Sequence, residues 1–278
     1  MAQPLTTVQY SQLLTHLIME LFRERGQIVS APTAESDKDP EKLWPVFRAL
    51  VNTREPNPAS PEFLAEQDKL LTSMIEADGI VPESRTVPVP GNPRLRVWQG
   101  DIVDMEADGI VNAANSEMLG CWIPGHNCID NQIHTFAGVQ LRIKCAEIMQ
   151  AQGFKEPVGL AKVTPAYNLP ARYVIHTVGP QIAEGARPTA DDRDKLKSCY
   201  RSCLDAALAH DMKSIVFCGI STGVFGFPAK EAARIATGEV TRWLDEHPDV
   251  DITVVFDTYE DADWDIYVKQ LKMNRGFV

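Results

Sequence analysis

Short apolar runs and amphipathic stretches take turns from residue 95 onward, and that alternation leaves few folds open. The runs at 95–99, 109–113, 163–167, 173–178, 214–219 and 252–257 read as strands. The stretches at 131–151, 191–210, 228–246 and 261–273 read as helices. The first of these carries Ile133, Phe136, Ala137, Leu141, Cys145 and Ile148 on one face. A crossover long enough to hold a helix lets the next strand run parallel to the last. The expected class is therefore an α/β sandwich with a largely parallel sheet, with ligands bound outside the carboxyl ends of the strands.

The first ninety residues read differently. Leu13, Leu14, Leu17, Ile18, Leu21 and Phe22 lie at helical spacing within 6–24, and a polar stretch at 31–40 precedes a second helical pattern at 41–51. Ser60-Pro61 supplies an N-cap and a first-turn proline for a third helix, continued by Leu64, Leu70, Leu71, Met74 and Ile75. Beyond Gly79 come Pro82, Pro88, Pro90, Gly91 and Pro93, the composition of a linker. Residues 1–90 are thus expected to form a helical N-terminal extension and linker, and residues 91–278 a second unit.

Charge and cysteine usage narrow the function. A net charge of −11 argues against non-specific binding to nucleic acid or to anionic membrane. An anionic small ligand remains compatible, because local backbone N–H groups override net charge. Six cysteines in 278 residues make no disulfide framework. Glu20 and its polar neighbours interrupt any secretory core, and no apolar run reaches the ~20 residues of a membrane span. A soluble, cytoplasmic protein is expected.

The chemistry is concentrated at 100–138. Cys121, His126 and Cys128 bring two thiols and an imidazole together at short spacing, a donor set that suits zinc with a fourth position open. Two buried thiols and a loop histidine are the plainer alternative. A closed structural site would need a fourth ligand, for which Asp130 and His134 are the local candidates; Asp130 equally suits the N-cap of the helix expected from Asn131. Asp101, at the end of the first strand of the second unit, suits either an exocyclic amine such as that of adenine or a turn N–H. Asn112 and Asn115 close the next strand with amides that match sugar hydroxyls, and asparagines also form ordinary turns. Farther on, Ser221, Thr222, Gly223, Val224, Phe225 and Gly226 join a strand to a helix. Glycines there let backbone approach an anion at the helix N-terminus, while Phe225 offers a face to a sugar. The ending of a Walker loop is absent. Cys145, Cys199, Cys203, Cys218, His176, Trp98 and Trp243 fall at core positions.

Taken together, Gly100-Asp101-Ile102, Ile110 through Asn115, Ile133-His134, Ala137-Gly138 and the segments 173–180 and 221–228 resemble the macrodomain family, over roughly residues 95–271. The resemblance implies a three-layer α/β/α sandwich with a mixed, largely parallel sheet and a cleft that takes ADP-ribose. It implies that Asp101 and the Ile102 N–H hold adenine, that residues 221–226 wrap the diphosphate and distal ribose, and that Asn115 and Asp130 occupy catalytic positions. Many hydrolysing members carry a glycine run before that aspartate. Here residues 120–129 are longer and bear Cys121, His126 and Cys128, as in the zinc-dependent branch, which also has a helical N-terminal extension. The implied activity is zinc-dependent removal of mono-ADP-ribose from a protein side chain, expected to be acidic, with one zinc ion per chain. A lipoyl-carrier protein modified by a sirtuin-like transferase is the implied partner. A non-catalytic ADP-ribose reader and an O-acetyl-ADP-ribose deacetylase are the competing functions.

Overall fold

The computed structural model describes residues 4–30 and 38–273, so that residues 31–37 of the expected polar stretch lie outside it. Three helices come first: α1 (Thr7–Glu24), α2 (Pro40–Asn52) and α3 (Pro61–Asp78). Each starts where its capping chemistry dictates. Thr6 and Gln9 form a reciprocal capping box, the Asp39 side chain accepts from the Glu41 N–H, and Ser60 accepts from the Phe63 N–H. Proline at the first position of α2 and α3 lacks an N–H that would have no helical partner anyway.

Beyond them run β1 (Val87–Val89), β2 (Asn92–Gln99), β3 (Gly109–Ala114), α4 (Ile129–Ala137), α5 (Val139–Gln152), β4 (Ala161–Pro165), β5 (Tyr173–Val178), α6 (Ala190–Ala209), β6 (Ser214–Phe217), α7 (Ala229–Glu246), β7 (Thr253–Thr258) and α8 (Asp261–Gln270). The sheet order is β1-β2-β7-β6-β3-β5-β4. β2, β7, β6, β3 and β5 are mutually parallel, and β1 and β4 close the two edges antiparallel. This is the expected three-layer sandwich with a mixed sheet. The inner strands are buried on both faces, as Ile110, Val111, Val174, Ile175, Ile215, Val216, Val254 and Val255 show, which is the mark of a parallel sheet covered by helices. The proline-bearing segment after Gly79 contributes edge strand β1, so part of what reads as linker is sheet.

One expected helix is two. The pattern at 131–151 is broken at Gly138, whose φ of +94° belongs to the region glycine tolerates. A Cβ there would stand 2.5 Å from both Gln67 Nε2 and Gln140 Oε1, and Gln67 Oε1 accepts the Val139 N–H at 2.9 Å. Helical periodicity runs through the break because the apolar face is shared, so only the backbone reveals it.

Buried side chains of α1, α2 and α3, including Leu14, Leu17, Phe47 and Leu70, join one continuous apolar core with Val97, Val111, Phe217 and Trp243 of the sandwich. Cys145, Cys199, Cys203, Cys218, His176 and Trp243 are buried as expected, whereas Trp98 is only partly so. Among the described residues no helix is long and apolar enough to cross a membrane.

Candidate active site

Parallel strands deliver their carboxyl ends to one edge, and a cleft of about 580 Å³ opens there. It gathers Asp101 and Ile102 after β2, Asn115 after β3, Ser221, Thr222, Gly223, Val224 and Phe225 after β6, and the loop residues Cys121, His126 and Cys128 with Asp130 of α4. Two strands, β7 and β6, lie between β2 and β3. Three inter-strand steps of ~4.8 Å therefore separate the Asp101 end from the Asn115 end by about 14 Å. Gly226 is not in the lining; it closes the loop with φ +68° and an N–H donated to the Gly223 carbonyl.

At the first end, Asp101 serves the turn and the cleft together. One carboxylate oxygen accepts the Val103 N–H at 3.2 Å, capping the 3-10 turn that follows β2, and the other accepts from Gln132 Nε2 at 3.0 Å. Gln132 Oε1 is buried without a partner, and so is Asp257 Oδ1 at the end of β7. Both residues line the cleft and both escape a reading of the sequence. Asp257 left a faint signal, a carboxylate ending an otherwise apolar strand. Burial, reinforced by the charges of Asp101 and Asp263, pushes its carboxyl well above the ordinary range.

The middle of the cleft is the β6–α7 loop. Ser221 takes a left-handed φ of +66°, rare for a residue with a Cβ and costing of order 1–3 kcal/mol. Its carbonyl accepts the Phe227 N–H at 2.9 Å, which fixes the bend. Pro228 precedes α7 with no side-chain cap, so the helix N-terminus keeps its capacity for an anion. Phe225 is partly exposed, and its carbonyl ties the loop to the Ile182 N–H at 2.8 Å.

At the second end the acidic group is Asp130, in the first turn of α4; the N-cap is Cys128, with no side-chain cap bond. Asp130 Oδ1 accepts from Asn112 Nδ2 at 2.8 Å and Oδ2 from Asn115 Nδ2 at 3.3 Å. Asn115 also donates to the Gly120 carbonyl at 3.1 Å, coupling strand end to loop. Asn112, expected among the substrate contacts, does not line the cleft. It is fully buried behind it, its amide shared between Asp130 and His176 Nδ1 at 3.1 Å. Burial pushes the Asp130 carboxyl up to about 6, against the downward pull of the Asn112 hydrogen bond and the Arg142 charge.

Beside Asp130, the ligand atoms of Cys121, His126 and Cys128 all lie within 4.8 Å of one another, and Cys121 Sγ is 3.5 Å from His126 Nδ1. Tetrahedral zinc with bonds of ~2.3 Å to sulfur and ~2.1 Å to nitrogen holds such atoms about 3.6 Å apart, so the trio fits that ion. All three are partly exposed to the cleft rather than sealed in the core. A second trio, His134, Cys145 and His176, is equally close but buried. There His176 Nε2 already faces Thr164 Oγ1 at 3.0 Å and Nδ1 faces Asn112, so both ring nitrogens are engaged within the protein.

The macro domain model matches residues 111–236. A protein-ADP-ribose hydrolase of Treponema medium is 48% identical over 255 residues, covering 91% of this chain and 95% of that protein. Among solved structures, a Trypanosoma brucei macrodomain in complex with ADP-ribose is 32% identical with a TM-score of 0.61, covering 80% of this chain and 94% of that one. An Oceanobacillus iheyensis macrodomain with ADP is 34% identical with a TM-score of 0.58, covering 67% and 94%. With the sheet order, the strand-end cleft and these similarities in agreement, the chain belongs to the macro domain family.

Proposed function

We propose that this protein is a hydrolase that releases ADP-ribose from mono-ADP-ribosylated protein, that the modified side chain is acidic, and that the reaction depends on zinc held by Cys121, His126 and Cys128. The hydrolase reading is supported by relatives named protein-ADP-ribose hydrolase at 44–48% identity. The observation that carries the rest is one cleft that runs from Asp101, after β2, to Asn115, after β3, strand ends about 14 Å apart, with Asp130 and the thiol–imidazole trio beside Asn115. That span suits a ligand with a purine at one end and a second ribose at the other.

In this reading Asp101 accepts the adenine amine and the Ile102 N–H supplements it. The loop from Ser221 to Gly226, with the N-terminus of α7, takes the diphosphate, and Phe225 lies against the distal sugar. Binding so far from the reacting bond fixes the anomeric carbon beside Asp130 and Asn115. Asn115 orients the Asp130 carboxylate, and Asp130 accepts a hydrogen bond from the attacking water or from a ribose hydroxyl. Overall, water adds across the ester bond: a hydroxyl and a proton complete free ADP-ribose and the free carboxylic acid. A zinc ion held by Cys121, His126 and Cys128 would supply Lewis-acid chemistry at this end of the cleft. A cytoplasmic carrier protein modified on an acidic side chain is the partner the reading favours.

The test is incubation with a protein carrying mono-ADP-ribose on glutamate, with free ADP-ribose measured by chromatography before and after treatment with a chelator. Release that stops on chelation and resumes with zinc is expected. Tight ADP-ribose binding without release would make the protein a reader. Release unaffected by chelation would remove the metal.

A further inference from the structure

The α2 helix belongs to the N-terminal extension, yet its side chains end on the loop that bears the thiol–imidazole trio. Arg48 Nη2 donates to the His126 carbonyl at 3.0 Å and to Asn131 Oδ1 at 2.9 Å, with Arg48 Nε adding a bond to the same Asn131 oxygen at 3.2 Å. Asn131 Nδ2 returns to the loop at the Ile123 carbonyl, 3.1 Å away. Four residues on, and so on the same face of α2, Asn52 Oδ1 accepts the Gly125 N–H at 2.9 Å while its Nδ2 donates to Thr135 Oγ1 at 3.0 Å. Arg142 of α5 completes the frame. Its Nε donates to the Leu119 carbonyl at 2.6 Å and its Nη1 to the Val51 and Arg54 carbonyls at 3.0 and 2.8 Å, around the C-terminus of α2. The same guanidinium lies 4.3 Å from the ring centre of Trp122.

We propose that α2 is a wall of the reactive site, and that Arg48 and Asn52, locked by Arg142, are positioning residues that keep Cys121, His126 and Cys128 gathered. Asn52, Asn131 and Arg142 are buried, and Asn52 Oδ1, Asn131 Nδ2 and Arg142 Nε find their partners in the loop, so these atoms are paired only while it keeps its path. Residues 119–128 contain no helix or strand of their own, and ordering such a segment costs conformational entropy that outside contacts must offset. Leu119, Trp122, Ile123, Gly125 and His126 are each held from outside the loop; Gly125 and His126 are tethered to α2 directly, and the other three through Asn131 or Arg142. The extension is therefore part of the reacting end of the cleft, where the sandwich contributes Asn115, Asn131 and Arg142.

This inference rests on the proposed function only for the identity of the ion; the bracing is tested without it. Amide hydrogen exchange of residues 120–128 and the rate of zinc loss to a colorimetric chelator are measured in the full-length protein and in Arg48→Met, Asn52→Ala and Leu14→Ala. The last of these makes a cavity in the core of α1 and controls for general loss of stability. Arg48→Met and Asn52→Ala should each quicken loop exchange about tenfold or more, as expected for losing a strong or buried hydrogen bond, and zinc loss in step with it. Leu14→Ala should leave both within about twofold, and Arg48→Lys should fall between parent and Arg48→Met. Loop exchange unchanged in Arg48→Met and Asn52→Ala, or raised equally by Leu14→Ala, overturns the proposal. A parent protein that binds no zinc removes the metal from the proposed function and leaves the exchange measurement to decide on the wall.

Discussion

His176 offers a sharp quantitative test, because the chain His176–Asn112–Asp130 links it to the site. The imidazole is fully buried between Asn112 and Thr164, and burial holds it down at about 3 against an ordinary 6.5. The unfolded chain therefore takes up this proton first as pH falls. Stability conferred by the neutral ring is complete above 6.5, and is lost as pH drops through 6.5 toward 3. At about 1.4 kcal/mol per unit, the whole shift amounts to about 5 kcal/mol, of which about 2 kcal/mol is lost between pH 7 and pH 5. In His176→Gln the amide accepts from Asn112 and donates to Thr164 without titrating. The variant should be less stable at pH 7, through lost packing, but its unfolding free energy should fall by about 2 kcal/mol less than the parent's between pH 7 and pH 5. Guanidinium chloride unfolding with chelator present measures this, since metal linkage would add its own slope. Equal losses in parent and variant would refute the claim that the ring is kept neutral. A protonated ring cannot accept from Asn112, so the neutral ring is the form that fits the bonds around it.

Other expectations are simpler to check. Asp101→Ala should weaken ADP-ribose binding by about 1–3 kcal/mol, the cost of a lost hydrogen bond to a charged group; an unchanged calorimetric affinity would remove Asp101 from the adenine role. Cys121→Ala should purify without zinc while keeping its far-ultraviolet spectrum, and elemental analysis showing one zinc per chain would move the metal elsewhere. Gly120→Ala should cost about 1–3 kcal/mol in a thermal or denaturant melt, because φ is +79° there and the new Cβ would stand 2.8 Å from the His134 ring. A melt superimposable on the parent's would mean that ring yields freely.

The sandwich was legible because its signal is periodic and local: all six strands read from the apolar runs are present, with shifted ends. The trio at 121–128 was legible because its members are close in sequence. Gln132 and Asp257 were not, since each acquires meaning only by facing Asp101 across a strand or helix boundary. Asn112 read like its neighbour Asn115, but strand alternation turns it inward, and no turn pattern distinguishes a buried amide from an exposed one. Nothing in the sequence marked Arg48, or Asn52 just past the helical pattern at 41–51. Their targets lie more than 70 residues away, beyond the reach of any spacing argument. The break at Gly138 was hidden for the opposite reason, as the apolar stripe persists while the backbone turns.

The unbroken core joining α1, α2 and α3 to the sheet has a thermodynamic corollary. If these layers melt together, any nucleotide captured at the strand ends adds RT ln(1 + [L]/Kd) to the free energy of the entire chain, about 2.7 kcal/mol at a hundredfold excess over Kd. Leu14 and Leu17, which no ligand touches, would then be protected as firmly as the residues that do.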